Sequence, residues 1–223
     1  MDLKKMVGTL AASHVKSGMV VGLGTGTTAN YMIEELGRRV QEEGLEIVGV
    51  TTSTQTQKLA EALEISLIPI DEVTHIDLTI DGADEIAADF SGIKGGGAAL
   101  LFEKIVAAYS SEVIWIVDHT KLVQKLGKFP LPVEVIPFGS KQLFNKFLEN
   151  EYNPTFRTTN DGKLLKTESG NYIIDLHLDR IENPKELADN LDKFVGVVEH
   201  GLFINLVSRV IVGYPDGPKT LEV

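Results

Sequence analysis

Residues 77–104 read DLTIDGADEIAADFSGIKGGGAALLFEK, and the rest of the chain is organised around them. Ile76 to Ile80 is a short apolar run with β-branched residues, which predicts a buried strand. It breaks off at Asp81-Gly82-Ala83-Asp84-Glu85. Further on, Lys94-Gly95-Gly96-Gly97 opens a helix expected over Ala98 to Tyr109. That helix carries one carboxylate in an unusual place. The positions three and four away from Glu103 are Ala99, Leu100, Val106 and Ala107, so its side chain shares a face with apolar groups alone. A carboxylate buried there without a partner is costly, and burial raises its pKa. Helical side chains lean toward the N-terminus, here toward the glycines. At 1.5 Å per residue Glu103 lies about 9 Å beyond Gly97, so the glycine segment and the carboxylate can bracket one small ligand. The ordinary alternative is a glutamate that swings out to solvent or pairs with a lysine.

Moving outward, the strand–loop–helix unit recurs. A first helix over Leu3 to Lys16 closes at Gly18, and Met19 to Leu23 reads as a buried strand. Gly24-Thr25-Gly26-Thr27-Thr28 follows, and Ala29, Met32, Ile33, Leu36 and Val40 mark one face of a helix. Amide groups and the positive dipole end at such a helix start favour an anion, to which hydroxyls add donors. A tight turn with a threonine cap explains the same letters more simply. The spacing Gly22-x-Gly24-x-Gly26 is not the dinucleotide fingerprint, and no G-K-[ST] follows to make a P-loop. The next strand, Glu46 to Val50, ends in Thr51-Thr52-Ser53-Thr54 with no acid to grip a ribose hydroxyl; this hydroxyl-rich end suggests a phosphate or polyol ligand, though Ser53 or Thr54 could equally cap the helix over Gln55 to Leu63. Val113 to Val117 is a further strand, ending in Asp118-His119-Thr120-Lys121. Alternating strands and helices predict a doubly wound parallel sheet, whose ligands sit beyond the carboxyl ends of the strands. Four such ends here are polar.

From Gly127-Lys128-Phe129-Pro130-Leu131-Pro132 the rhythm changes, and the prolines mark a linker. The expected order is then a strand at Val133–Ile136, a helix at Lys141–Asn150, strands near Thr155–Thr158 and Tyr172–Leu178, a helix at Lys185–Phe194 and paired strands around Val197–Asn205. That β-α-β-β-α-β order fits a split βαβ sandwich. Ser208 to Tyr214 reads as a strand returning to the first sheet. The fold class expected is thus α/β: a Rossmann-like doubly wound parallel sheet over residues 1–127 plus 207–223, with a smaller ferredoxin-like α+β domain over 128–206. His177 and His200 read as packing or surface residues, because no second metal-type residue lies at ligand spacing.

Composition narrows the partners. With 21 Lys and Arg against 32 Asp and Glu, the formal charge of −11 disfavours a nucleic-acid surface. The absence of cysteine excludes disulfides and thiolate chemistry and fits a reducing cytoplasm. The N-terminus has the pattern of an amphipathic helix rather than a signal peptide, and no apolar run approaches a membrane span, so a cytoplasmic protein is expected.

For a phosphorylated sugar, the phosphate would sit on Thr25 to Thr28 and the carbon chain would run toward Asp81 and Glu103. A carboxylate in an apolar pocket suits removal of a proton α to a carbonyl. Lys94 and the Gly95–Gly97 amides would hold the enediolate, and Asp81 could move protons between sugar oxygens.

GLGTGTT, DGADE, KGGGAALLFEK, the Asp118–Lys121 strand end and GKFPLPVEVIP, in this order and at these spacings, are similar to the ribose-5-phosphate isomerase A family. The similarity runs over essentially the whole chain. It implies an aldose–ketose isomerase that interconverts ribose 5-phosphate and ribulose 5-phosphate without metal or cofactor. The catalytic set it implies is Glu103 as proton acceptor with Asp81 and Lys94. The substrate-binding set is Thr25, Gly26, Thr27, Thr28, Asp81, Gly82, Ala83, Asp84, Lys94, Gly95, Gly96, Gly97 and Lys121, with Lys4 as a further phosphate contact. It also implies a homo-oligomer, a dimer or tetramer. Thr27 departs from the more usual serine but keeps the hydroxyl. Three rivals stay open on the residues: a Mg²⁺ enzyme using Asp81, Asp84, Glu85 and Asp89, a non-catalytic sugar-phosphate sensor, and a related isomerase, deaminase or transferase. With Glu103 among apolar residues, kcat/KM for isomerisation should fall on the acid side with an apparent pKa above the ordinary glutamate value of about 4.3. A rate–pH profile flat down to that value would contradict the buried base.

Overall fold

The computed structural model describes residues 2–223. Compactness divides the chain into one unit of Met1–Ala83, Phe102–Lys121 and Leu206–Val223, and a second of Asp84–Leu101 and Leu122–Asn205.

In the first unit, seven strands form one sheet. Across it lie Gly217–Glu222, Arg209–Tyr214, Ser110–Asp118, Ile76–Asp81, Val20–Leu23, Val48–Thr51 and Ser66–Leu67. All neighbours are parallel except the Gly217–Glu222 edge, which returns as a hairpin on Arg209–Tyr214. Numbered along the chain, the six parallel strands stand in the order 3-2-1-4-5-6, the doubly wound arrangement expected. The order reverses between Val20–Leu23 and Ile76–Asp81, where Val21 opposes Leu78 and Leu23 opposes Ile80. Ligands of such sheets bind at this switch point.

Strand alternation gives the sheet two buried faces. Val21, Leu23, Leu78 and Ile80 pack with Met32, Ile33 and Leu36 of the Thr27–Glu43 helix, and with Val7 and Ala11 of the Leu3–Ala12 helix. Val20 and Val50 point to the other face, beneath Val106 of the Leu100–Ala108 helix. Gly22 lies on that face too. A Cβ there would come within 1.9 Å of Thr79 Oγ1 and 2.8 Å of Val106 Cγ1, so only glycine lets this helix rest on the sheet. The first helix ends at Ala12, short of the expected Lys16. Arg39 on the neighbouring helix donates to the carbonyls of Ala12 and Val15, closing the end from outside.

The second unit contains a four-stranded antiparallel sheet ordered Val197–His200, Leu131–Val135, Tyr172–Leu176 and Pro154–Phe156, with helices Ser140–Glu149 and Pro184–Leu191. In chain order this is 4-1-3-2, a ferredoxin-like β-α-β-β-α-β unit over Leu131–His200 as expected. Phe147, Ile174, Leu176 and Leu191 lie in its core. One expectation fails. The strands between Val197 and Asn205 do not pair with each other: Val197–His200 joins the antiparallel sheet, while Leu202–Phe203 pairs with Gly92–Ile93 in a separate three-stranded sheet completed by Glu85–Ile86. Gly201 divides them. Its N–H donates to Pro132 O while its carbonyl accepts from Lys94 N, so the chain crosses from one sheet to the other at this residue.

These pairings also explain why the compact units differ from the division at residues 127/128 read from the sequence. The chain leaves the parallel sheet after Asp81, and Asp84–Leu101 pairs with strands of the second unit before the Leu100–Ala108 helix returns to the first. Among the described residues, no helix is long and apolar enough to cross a membrane.

Gly22→Ala should lower stability by about 1–3 kcal/mol, the usual range for overpacking a filled core. A thermal midpoint equal to wild type would show that the Leu100–Ala108 helix is not held this closely.

Candidate active site

In the first unit the strand ends at Leu23, Thr51, Asp81 and Asp118 are sheet neighbours, so their loops share one edge. Asp81 is 2% exposed. Its Oδ1 accepts from the N–H of Thr25 at 3.0 Å and of Gly82 at 2.7 Å, which ties the loops of two strands together across the switch point. Gly24 permits this approach, since a Cβ there would stand 2.2 Å from Asp81 Oδ1.

Thr25 to Thr28 sit at the start of the Thr27–Glu43 helix, but they divide in role. Gly26, at φ 109°, caps the helix with no side-chain hydrogen bond to its first turn. The Thr25 hydroxyl does not face outward. It lies 2.7 Å from Thr52 Oγ1, 2.9 Å from Ser53 Oγ and 3.2 Å from Thr56 Oγ1, while Thr52 and Thr56 donate to the carbonyls of Leu23 and Gly24. This hydroxyl cluster welds the second strand end to the first. Ser53 accepts from Thr56 N, so the simpler capping reading of that segment is correct. Thr27 is exposed and accepts from Lys4 Nζ at 2.9 Å. Lys4 and Lys121 also bear on Asp118. Partial burial opposes ionisation of that carboxyl, yet the hydroxyl and amide of Thr120 together with both ammonium groups hold it below the usual aspartate range. Two ammonium groups and a helix start thus gather at one strand edge, which suits a phosphate.

Glu103 is 6% exposed, in the first turn of the Leu100–Ala108 helix. Its apolar flank is as expected: Leu100, Val106 and Ala107 are buried. It does not swing out to solvent. Val106 lies over Gly22 and Thr79, and Asp81 points to that same sheet face two residues beyond Thr79. Glu103 is one turn earlier than Val106 on a helix that crosses back over the sheet, which carries its carboxylate toward the Asp81 end of the strand.

In the second unit the KGGG segment takes a different form from the one expected. The helix begins at Leu100, not Ala98; Ala98 has φ 63° and closes a turn on Gly95 O. Helical rise therefore cannot be counted back to Gly97, and the glycines are a loop of their own rather than the helix cap. Lys94 is 3% exposed, with its backbone N–H on Gly201 O and its Nζ 5.5 Å above the Phe203 ring. Asp84 Oδ2 accepts from Gly96 N at 2.8 Å. Glu85 accepts from the amides of Gly127 and Phe129, and Asp89 from that of Ser91. The acids imagined as Mg²⁺ ligands are thus engaged with backbone amides. Among the described residues, three metal-type side chains converge only at Asp192, Glu199 and His200, a grouping that spacing did not reveal. His200 Nδ1 accepts there from Leu202 N, and Nε2 faces the carboxylates of Asp192 at 3.3 Å and Glu199 at 3.9 Å.

Sequence reasoning read Thr52 as part of a hydroxyl-rich strand end, where it donates to Leu23 O and meets the Thr25 hydroxyl instead, and it missed Thr56 and Arg157. Thr56 is a turn beyond that strand end, a signal that could have been read. Arg157 reaches the carbonyls of Gly95 and Gly96 from far along the chain, with no local sign.

A parallel sheet in doubly wound order, with hydroxyl, carboxylate and ammonium groups on adjacent carboxyl ends, defines an α/β protein built to hold a small anionic ligand. Residues 48–217 match the family model of ribose 5-phosphate isomerase A (phosphoriboisomerase A). A ribose-5-phosphate isomerase A from Enterococcus faecalis is 65% identical over 223 residues, covering 100% of this chain and 99% of the relative. The Lactococcus lactis protein of the same name is 60% identical over 99% of each chain. Among solved structures, ribose 5-phosphate isomerase A from Methanocaldococcus jannaschii superposes with a TM-score of 0.95 at 41% identity, over 100% of this chain and 99% of that one. A D-ribose-5-phosphate isomerase in complex with phospho-erythronic acid superposes with a TM-score of 0.96 at 37% identity, over 100% and 98%. The chain belongs to the ribose 5-phosphate isomerase A family.

Because its hydroxyl is spent on three others, Thr25→Val should cost about 1–3 kcal/mol of stability through the partners left unsatisfied, with little change in KM. A large rise in KM at unchanged stability would instead make Thr25 a direct ligand.

Proposed function

We propose that this protein interconverts D-ribose 5-phosphate and D-ribulose 5-phosphate by proton transfer through an enediolate. Membership of the family supports the reaction, as does a relative of the same fold in complex with phospho-erythronic acid, a phosphorylated sugar acid. The observation that carries the mechanism is a glutamate held almost wholly out of solvent on the first turn of a helix that covers the switch point.

In the open-chain aldose, Glu103 takes the proton from C2. The electron pair forms the C1–C2 double bond and the aldehyde oxygen gains the charge. Lys94 and the amides of the glycine segment other than that of Gly96, whose N–H is on Asp84 Oδ2, stabilise that oxygen, donors of the kind that act mainly in the transition state. Asp81, oriented by two amide N–H groups, assists the proton exchange between O2 and O1. Glu103 then returns the proton to C1, which leaves a ketone at C2. No electron leaves the substrate. The phosphate is held at Gly26 to Thr28 with Lys4 and Lys121, at the far end from the reacting carbons. The assignments of Gly82, Ala83 and Asp84 as substrate contacts belong to the same reading, as do a cytoplasmic setting and a homo-oligomeric enzyme.

Glu103→Gln should lower kcat by about 10³-fold, within the range that a general base supplies, while substrate still binds. Wild-type turnover in that variant would refute the assignment. Lys94→Ala should act mainly on kcat; a rise confined to KM would make Lys94 a ground-state phosphate ligand. Activity should survive exhaustive chelation, measured with ribose 5-phosphate, and its loss would favour a metal enzyme.

A further inference from the structure

Arg157 follows the Pro154–Phe156 edge strand, with its N–H on Ile173 O and its carbonyl accepting from Leu165 N. Its guanidinium is shared between two tasks. Nε and Nη2 donate to the two oxygens of Asp175, at 2.9 and 2.5 Å, in a fork-to-fork pair. Nη1 donates to Gly95 O at 2.7 Å and to Gly96 O at 3.2 Å. Both side chains of the pair are largely buried, 15% and 14% exposed. An ion pair so placed could be no more than a staple for an edge strand. Its third nitrogen, however, is spent on the carbonyls of the one glycine segment that the proposed chemistry needs.

Peptide planarity gives that contact a consequence. In a trans peptide the C=O and the following N–H point in opposite directions. With Gly95 O on Arg157, the Gly96 N–H must point away from the guanidinium, and it does so, onto Asp84 Oδ2 at 2.8 Å. With Gly96 O on the same guanidinium, the Gly97 N–H is likewise turned to the opposite side. Gly96 lies close to Asp84 and Phe129, but nothing lies within 4 Å of a Cβ built on Gly97, and the turn bond from Ala98 N to Gly95 O spans the peptide between the two glycines without engaging its own C=O or N–H. Glycine backbones are also the freest to flip. A cation on the carbonyl side supplies the missing constraint and polarises the peptide, which strengthens its N–H as a donor.

We propose that Arg157, held by Asp175, is a positioning residue that aims the amide of Gly97 at the developing enediolate oxygen. The inference rests on the isomerase reading above, and it gives the ferredoxin-like unit a part in the reaction rate. In this view Asp175 orients the guanidinium, the guanidinium orients two peptides, one amide of which goes to Asp84, and only the Gly97 amide meets substrate.

The test compares wild type, Arg157→Gln, Arg157→Lys and the double variant Arg157→Gln/Asp175→Asn. Each is measured for kcat and KM with ribose 5-phosphate, for thermal midpoint, and for inhibition by 4-phosphoerythronic acid and by ribitol 5-phosphate. The first inhibitor carries a carboxylate in place of the enediolate, and the second has no charge there. Arg157→Gln should lower kcat about 10- to 100-fold, somewhat less than removal of an oxyanion donor outright, with KM within about threefold of wild type. Its Ki for 4-phosphoerythronic acid should rise and its Ki for ribitol 5-phosphate should not. Arg157→Lys should recover part of kcat. The double variant, which leaves no buried lone carboxylate, should recover the thermal midpoint but not kcat. If kcat returns with the midpoint, or Arg157→Gln keeps wild-type kcat, the pair is only a staple and the inference is overturned. A wild-type protein without turnover overturns the isomerase reading itself, an outcome distinct from a loss confined to the variants.

Discussion

The carboxylate of Asp81 is the joint on which the first unit's site depends. It ends the strand beside the switch point, and its Oδ1 accepts amide N–H groups from its own loop and from the loop of the neighbouring strand. A single oxygen thereby fixes two connections that would otherwise move independently. Gly24 is the steric condition for it, and the parallel register of Leu23 with Ile80 brings the two chain ends level. Loops anchored in this way can present amides and ammonium groups at fixed positions, which is what electrostatic catalysis requires.

A second layer of polar groups does structural work that resembles binding. Thr25, Thr52, Ser53 and Thr56 look like ligands for a phosphate or polyol, yet their hydroxyls satisfy one another and two strand-end carbonyls. Asp84, Glu85 and Asp89 look like hard metal ligands, yet each accepts from a backbone amide that a turn leaves over. Buried or half-buried polar groups must be matched, and a sheet edge crowded with loops has many amides to match. The substrate contacts proposed above centre instead on the exposed start of the Thr27–Glu43 helix with Lys4 and Lys121 in one unit, and on Lys94, Asp84 and the glycine segment in the other. Glu103 is buried as well, on the first turn of the Leu100–Ala108 helix, and for the proposed role of a base that takes a carbon-bound proton, burial is an asset.

Much was legible in the sequence because it depends on local pattern. Strand–helix alternation implied the parallel sheet, and period-four neighbours placed Glu103 among apolar residues. Proline clustering located the change to the ferredoxin-like order, and the motif series pointed to the family. These features follow from residues within a few positions of one another, where backbone geometry dictates which side chains meet. The tertiary structure decided the rest. It ended the glycine segment before the helix, sent Leu202–Phe203 to a different sheet from Val197–His200, turned the Thr25 hydroxyl inward, and brought Arg157 and Asp175 to the carbonyls of Gly95 and Gly96. Each of those outcomes is set by hydrogen bonds between segments distant in the chain, and partners of that kind leave no periodic trace in the order of the amino acids.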